Sequence, residues 1–129
     1  MPSAWTDEPA PPLLIAAIEQ FNRGAYFEQH ETLETLWRAE PREVRRLYQG
    51  ILQIGVAFHH LRRLNHRGAV RLLGRGLAAI EPFSPVCQQV DVSALAAAAR
   101  RALAALVALG PARAAEFDWT LAPKIGLRG

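Results

Sequence analysis

The residues best suited to chemistry in this chain sit in one short run, FEQHETLETLW, from Phe27 to Trp37. His30 and Glu34 are four positions apart, the spacing that brings two side chains together on one face of a helix, and Trp37 follows three positions later. An imidazole beside a carboxylate can form half of a metal site. It can also act as a proton-transfer pair, because histidine titrates near neutrality and the carboxylate orients it. Helical spacing puts Tyr26, Phe27, Leu33 and Trp37 on the same stripe, with His30 and Glu34 in its middle; Glu28, Thr32 and Thr35 point away, and Glu31 lies to one side. Polar groups in such a stripe need partners, since burying one alone costs several kcal/mol against a domain stability of roughly 5–15 kcal/mol.

The segment around YQGILQIGVAFHH supplies candidate partners. Read as a helix, it places Leu47, Ile51, Ile54, Phe58 and Leu61 on a core stripe and Gln49, Gln53, Val56 and His60 on the almost opposite face. His30, Glu34, Gln49, Gln53 and His60 are therefore expected to converge, and Trp37 to be largely buried, so that Trp37→Ala would cost about 3–5 kcal/mol. Two readings of that cluster stand side by side. In one it is a closed hydrogen-bond network that fixes helix register. In the other it rings a polar cavity for a small-molecule ligand or a divalent metal, held by His30 and Glu34, with hydrolysis as the reaction and Trp37 as a wall. HETLE also compares with the zinc-peptidase pattern His-Glu-x-x-His, but Glu34 stands where the second histidine belongs, and glutamine is a poor zinc ligand.

The elements that must position these residues are helical. The chain has 129 residues, half of them hydrophobic, which suits one domain with a real core. Prolines at 2, 9, 11 and 12 predict an extended N-terminal arm over residues 1–12. A first helix runs from about Pro12 to Asn22 before Gly24, and a second from about Tyr26 to Arg38. A third begins at Pro41 and runs to about Leu64, its Gly50 and Gly55 suited to close helix packing. A fourth ends before Pro82, and residues 82–91 form a loop. Asp91 or Ser93 then caps an Ala-rich fifth helix, ending at Gly110 and Pro111, whose stripe is Leu95, Ala99, Ala102, Leu103 and Leu106. No alternating strand pattern is present. Residues 13–110 thus read as a single all-α domain, a compact bundle of two stacked helical hairpins plus the fifth helix. Residues 111–129 read as an irregular tail pinned by Phe117 and Trp119. FNRGA and LNHRGA form an internal echo at two helix junctions.

The formal charge of +3 hides an asymmetry: eight of the twelve acidic residues lie between Asp7 and Glu43, and none between Val44 and Ile80. Arg45, Arg46, Arg62, Arg63, Arg67, Arg71 and Arg75 occupy that acid-free stretch. Arg67, Arg71 and Arg75 line up one turn apart, which supports an alternative reading as a nucleic-acid-binding face. A third reading is an assembly module, a homo-oligomer joined through the fifth helix or the aromatic tail. The lone Cys87 fits a reducing cytoplasm and a small buried apolar role. The N-terminus lacks a basic region followed by an apolar run, and Arg100 and Arg101 interrupt the Ala/Leu stretch, so neither secretion nor a membrane span is expected.

His30, Glu34 and Trp37, preceded by FNRGAYFEQHE and followed by YQGILQIGVAFHHLRRLN and RGAVRLL, resemble the small helical domain of unknown function 309 of bacteria and archaea, marked by a His-x-x-x-Glu-x-x-Trp motif. The resemblance covers roughly Leu13 to Glu81. It implies an all-helical fold in which the motif helix packs on the YQGILQ helix, a metal-binding role for the motif, and no particular reaction. Gln49, Gln53 and His60 join the site only through the helical-face argument.

Overall fold

The computed structural model describes residues 5–128 and is an all-α bundle. Its helices are α1 (Pro12–Asn22), α2 (Tyr26–Ala39), α3 (Arg45–Arg62), α4 (His66–Ile80) and α5 (Val92–Leu109). Successive helices pack on one another, most extensively α3 on α4, then α2 on α3. The α1–α2 and α3–α4 hairpins therefore stack through α2 and α3, and α5 covers α4. The core stripe expected on α3 holds: Leu47, Ile51, Ile54, Phe58 and Leu61 are all buried. α3 starts at Arg45 rather than Pro41, because residues 41–44 form a turn before the helix, with Val44 as its N-cap.

Two hairpin turns share one ending. The N–H of Ala25 reaches the Gln20 carbonyl at 2.8 Å and that of Asn65 reaches the His60 carbonyl at 2.9 Å. Gly24 and Leu64 sit just before them in the left-handed region, at φ +78° and +59°. Both turns close the last carbonyls of a helix in this way. The sequence echo is out of step with this geometry. In the first copy Arg-Gly-Ala precedes α2, whereas in the second it lies inside the first turn of α4, where the Asn65 side chain caps the Gly68 N–H at 3.0 Å.

Glycine sets the spacing between α3 and α4. A Cβ on Gly76 would lie 2.7 Å from the Gly50 carbonyl oxygen, and one on Gly50 would lie 2.6 Å from Ile80 Cγ2 and 3.0 Å from the Gly76 carbonyl oxygen. The helices meet backbone to backbone there.

The predicted loop over 82–91 contains a small hairpin, β1 (Val86–Cys87) and β2 (Val90–Asp91), too short to show alternation in the sequence. Its two turn residues, Gln88 and Gln89, hold positive φ of 46° and 67°. Such a two-residue turn ordinarily takes Asn or Gly, and the strain is offset because both side chains are used. Gln88 is buried, accepting from the Tyr48 hydroxyl at 2.6 Å and donating to Glu8 at 3.0 Å; Gln89 accepts from the Ala10 N–H at 2.9 Å. Glu8 and Glu40 both bind Arg42, whose guanidinium holds their carboxyls below the usual range. Of the expected arm, residues 1–4 lie outside the described residues, and residues 5–11 are tied to the body through this chain of contacts.

Asp91 caps α5, accepting from the Ala94 N–H at 3.0 Å. The tail runs back beside β2, with a bridge between Val90 and Leu127, and is clamped by Asn22, which accepts from the Ile125 N–H at 2.7 Å and donates to its carbonyl at 2.9 Å. Phe117 is buried, whereas Trp119 is exposed and leans on it edge-on. By length and a mean hydropathy of 1.7, α5 is apolar enough to cross a membrane. Here it buries Leu95, Ala96, Ala99, Ala102 and Leu106 in the bundle and exposes Arg100 and Arg101. Cys87 is buried, and burial pushes its thiol up to about 11.

The helix crossing makes a paired test. Gly76→Ala is expected to lose about 1–3 kcal/mol through overpacking. Gly74→Ala, on the same helix with open space around it, is expected to gain up to about 1 kcal/mol from helix propensity. Urea denaturation of the two variants checks both; equal effects would show that the crossing is not tight.

Candidate functional site

α2 lies against α3 with Tyr26, Gln29 and Leu33 turned inward, and His30, Glu34 and Trp37 sit at the edge of that contact, only partly covered. His30, Glu34 and Trp37 from α2 line an open hollow of about 290 Å³ with Gln49, Leu52 and Gln53 from α3. Four of the five residues expected to converge therefore do, with Trp37 beside them. Glu34 is held from both sides along its own helix: His30 Nε2 is 3.2 Å from one carboxylate oxygen, and Arg38 pairs with the other. The His30 and Glu34 side chains are 37% and 32% exposed, so solvent and solute reach them. Among the described residues the Gln49 and Gln53 amides make no side-chain hydrogen bond, leaving donors and acceptors free toward the hollow.

His60 does not join them. Its Nδ1 lies 3.2 Å from the Asn65 amide nitrogen. Because the Asn65 oxygen caps α4, its nitrogen faces the ring as a donor, and Nδ1 must accept. The residue that flanks the motif is His59 instead. With Tyr26, Phe27, His30 and Val56 it lines a second hollow of about 200 Å³, and its ring lies 6.0 Å from that of Phe27. His59 is seven positions from Leu52 and three from Val56, a spacing that could have revealed it.

Trp37 is half-buried rather than largely buried, because it forms the wall of an open hollow. Arg45 covers it, with Cζ 4.5 Å from the ring centroid. Its removal opens a surface notch, so the cavity cost expected for a core tryptophan does not apply in full. Phe27 is likewise exposed, at 56%.

The polar side chain of the motif that enters the core is Gln29, fully buried. Its Nε2 donates to the Ile51 carbonyl at 3.4 Å, while its Oε1 has no hydrogen-bond partner. It fits because it rests on Gly55: a Cβ there would lie 1.9 Å from Gln29 Oε1. Gly55 in mid-helix, at a propensity cost of about 1 kcal/mol, was the available signal.

The donors do not fit a resident metal. Among the described residues no group of three or more His, Cys, Asp or Glu side chains is placed to hold an ion. His30 and Glu34 make half a site, and the second Glu34 oxygen is taken by Arg38. Among the arginines proposed to read nucleic acid, Arg67, Arg71 and Arg75 are all exposed on α4. Arg62 is occupied elsewhere, stacked over Tyr26 at 4.7 Å and Trp119 at 5.7 Å.

A small helical-hairpin bundle with a polar hollow beside its motif helix is the class this geometry defines. Residues 14–72 match the family model described as Domain of unknown function (DUF309), and the His30–Glu34–Trp37 motif lies within the matched segment. The chain is also similar to the uncharacterized protein YpuF of Bacillus subtilis (strain 168), 40% identical over 57 residues. That match takes in 43% of this chain and 33% of YpuF.

Two measurements test the site's frame. Gly55→Ala should be strongly destabilising alone and largely relieved when combined with Gln29→Ala, a coupling above about 1 kcal/mol in a double-mutant cycle; additive losses would separate the two residues. Burial, with the charges of His59, Arg71 and Arg63 around it, holds His60 below its usual value. The folded chain then binds that proton less readily than the unfolded one. Stability is expected to fall as pH drops through about 6.5, the loss being complete below the folded pKa. His60→Gln should flatten this fall in urea midpoints measured between neutral and mildly acidic pH, and an unchanged fall would place its origin elsewhere.

Proposed function

We propose that the hollow between α2 and α3 binds a small polar ligand. In this reading His30 exchanges a hydrogen bond or proton with it, Glu34 orients the imidazole, and the Gln49 and Gln53 amides select its polar edge. Trp37 and Leu52 supply the apolar walls. The observation that carries the reading is the pair of unengaged glutamine amides facing an accessible His–Glu pair. A closed structural network would have consumed those amides, since a half-satisfied network gains little from being buried. The size supports a small solute, the hollow of about 290 Å³ lying at the lower end of ligand pockets. Hydrolysis would use His30 as base, which makes any reaction dependent on its neutral form. A divalent cation is expected to bind weakly, with ligand or water completing its shell.

The test is a fragment screen on isotope-labelled protein read by amide chemical shifts. Binders should perturb His30, Glu34, Gln49, Leu52 and Gln53, and Gln53→Ala or His30→Ala should weaken them by about tenfold, the equivalent of one hydrogen bond of about 1.4 kcal/mol. Binders that cluster elsewhere, or that ignore both substitutions, would sink the proposal.

A further inference from the structure

We propose that the neighbouring hollow between α3 and α4 is an oxyanion site for a small solute, gripped by Arg46 and Arg75. Arg46, Gln49 and Gln53 from α3 line it with Arg75, Ala78 and Ala79 from α4, around about 340 Å³. Gln49 and Gln53 also line the His30 hollow, so the two depressions lie on either side of one ridge of amides. The α4 wall is made of alanine methyls beside a glycine-tight helix crossing, which leaves room for a solute between the two guanidinium groups.

The charge on this hollow has no internal counterweight. Among the described residues neither Arg46 nor Arg75 forms an ion pair, unlike Arg38, Arg42, Arg100, Arg113 and Arg128. No acidic residue occurs from Val44 to Ile80, so neither helix supplies one. Arg46 stands in the first turn of α3, which has no acidic residue and no side-chain cap, and a cation there opposes the positive end of the helix dipole. Arg75 stands one turn from Arg71, a like-charge spacing that also costs stability. A bound anion relieves both at once, and guanidinium forks match the oxygens of phosphate or carboxylate with charge-assisted hydrogen bonds. The Gln49 and Gln53 amides add neutral donors. A volume of about 340 Å³ suits a compact anion better than an extended polymer backbone.

The site shares its amide ridge with the His30 hollow but takes its charge from Arg46 and Arg75, and it is tested through them, by calorimetric titration of the full chain with inorganic pyrophosphate in low-salt, phosphate-free buffer. Saturable one-to-one binding is expected. Arg46→Gln and Arg75→Gln should each weaken it by about tenfold or more, Arg46→Lys less, and Arg71→Gln by less than about twofold. Both arginines are exposed, and circular dichroism confirms that the variants fold. Citrate in place of pyrophosphate separates a carboxylate ligand from a phosphate one, either of which supports the site. No saturable heat with either anion would overturn it. So would equal weakening by Arg71→Gln, which marks a diffuse basic field, or binding of a single-stranded oligonucleotide that pyrophosphate does not compete.

Discussion

α3 is approached from both flanks at glycine, and the rest of the bundle follows from that. On one side Gly55 receives the buried Gln29 of α2; on the other Gly50 meets Gly76 of α4. At Gly50 and Gly76 backbone approach replaces side-chain interdigitation with close van der Waals contact, and at Gly55 the missing Cβ makes room for a whole glutamine side chain. The remaining face of α3, carrying Gln49, Leu52, Gln53 and Val56, is left as a narrow crest with a valley on each side. The hollows are the spaces that two tight contacts leave between three cylinders.

Much of this was legible in the sequence. The boundaries of α1, α2, α4 and α5 follow from Pro, Gly, Asn65 and Asp91, residues whose backbone chemistry starts or stops helices locally. His30, Glu34, Trp37, Gln49 and Gln53 share a site because helical spacing alone places them on facing sides. His60 lies on the same line of α3 as Gln53, but seven residues put it roughly 10 Å further along the axis. There the turn into α4 folds over it and Asn65 takes its Nδ1. An angular projection carries no axial distance and no knowledge of what the next loop covers. Gln29 and His30 were equally eligible to point inward, and the choice depended on where a partner helix lacked a Cβ.

Polar chemistry outside the motif is organised differently. From Tyr48 through Gln88 to Glu8, Arg42 and Glu40, one run of hydrogen bonds joins α3, the hairpin, the segment before α1 and the turn before α3. Its members are separated by up to 80 residues, and no local pattern announces such pairings. The run, together with the bond from the Ala10 N–H to Gln89, also explains why two glutamines tolerate the left-handed region: the backbone strain, on the order of 1–3 kcal/mol per residue, is offset by the hydrogen bonds of their side chains.

The amide clamp of Asn22 on Ile125 links positions 103 residues apart. The helical hairpins can form from near neighbours, whereas the end of α1 waits for nearly the whole chain. Closing so long a loop is entropically slow, and contacts of this range form late. During synthesis the two hairpins would emerge first, with the end of α1 still unclamped and Phe58 without the cover of Phe117 and Trp119. The clamp can therefore close only once the chain has been made as far as Ile125, after both hairpins are complete in sequence.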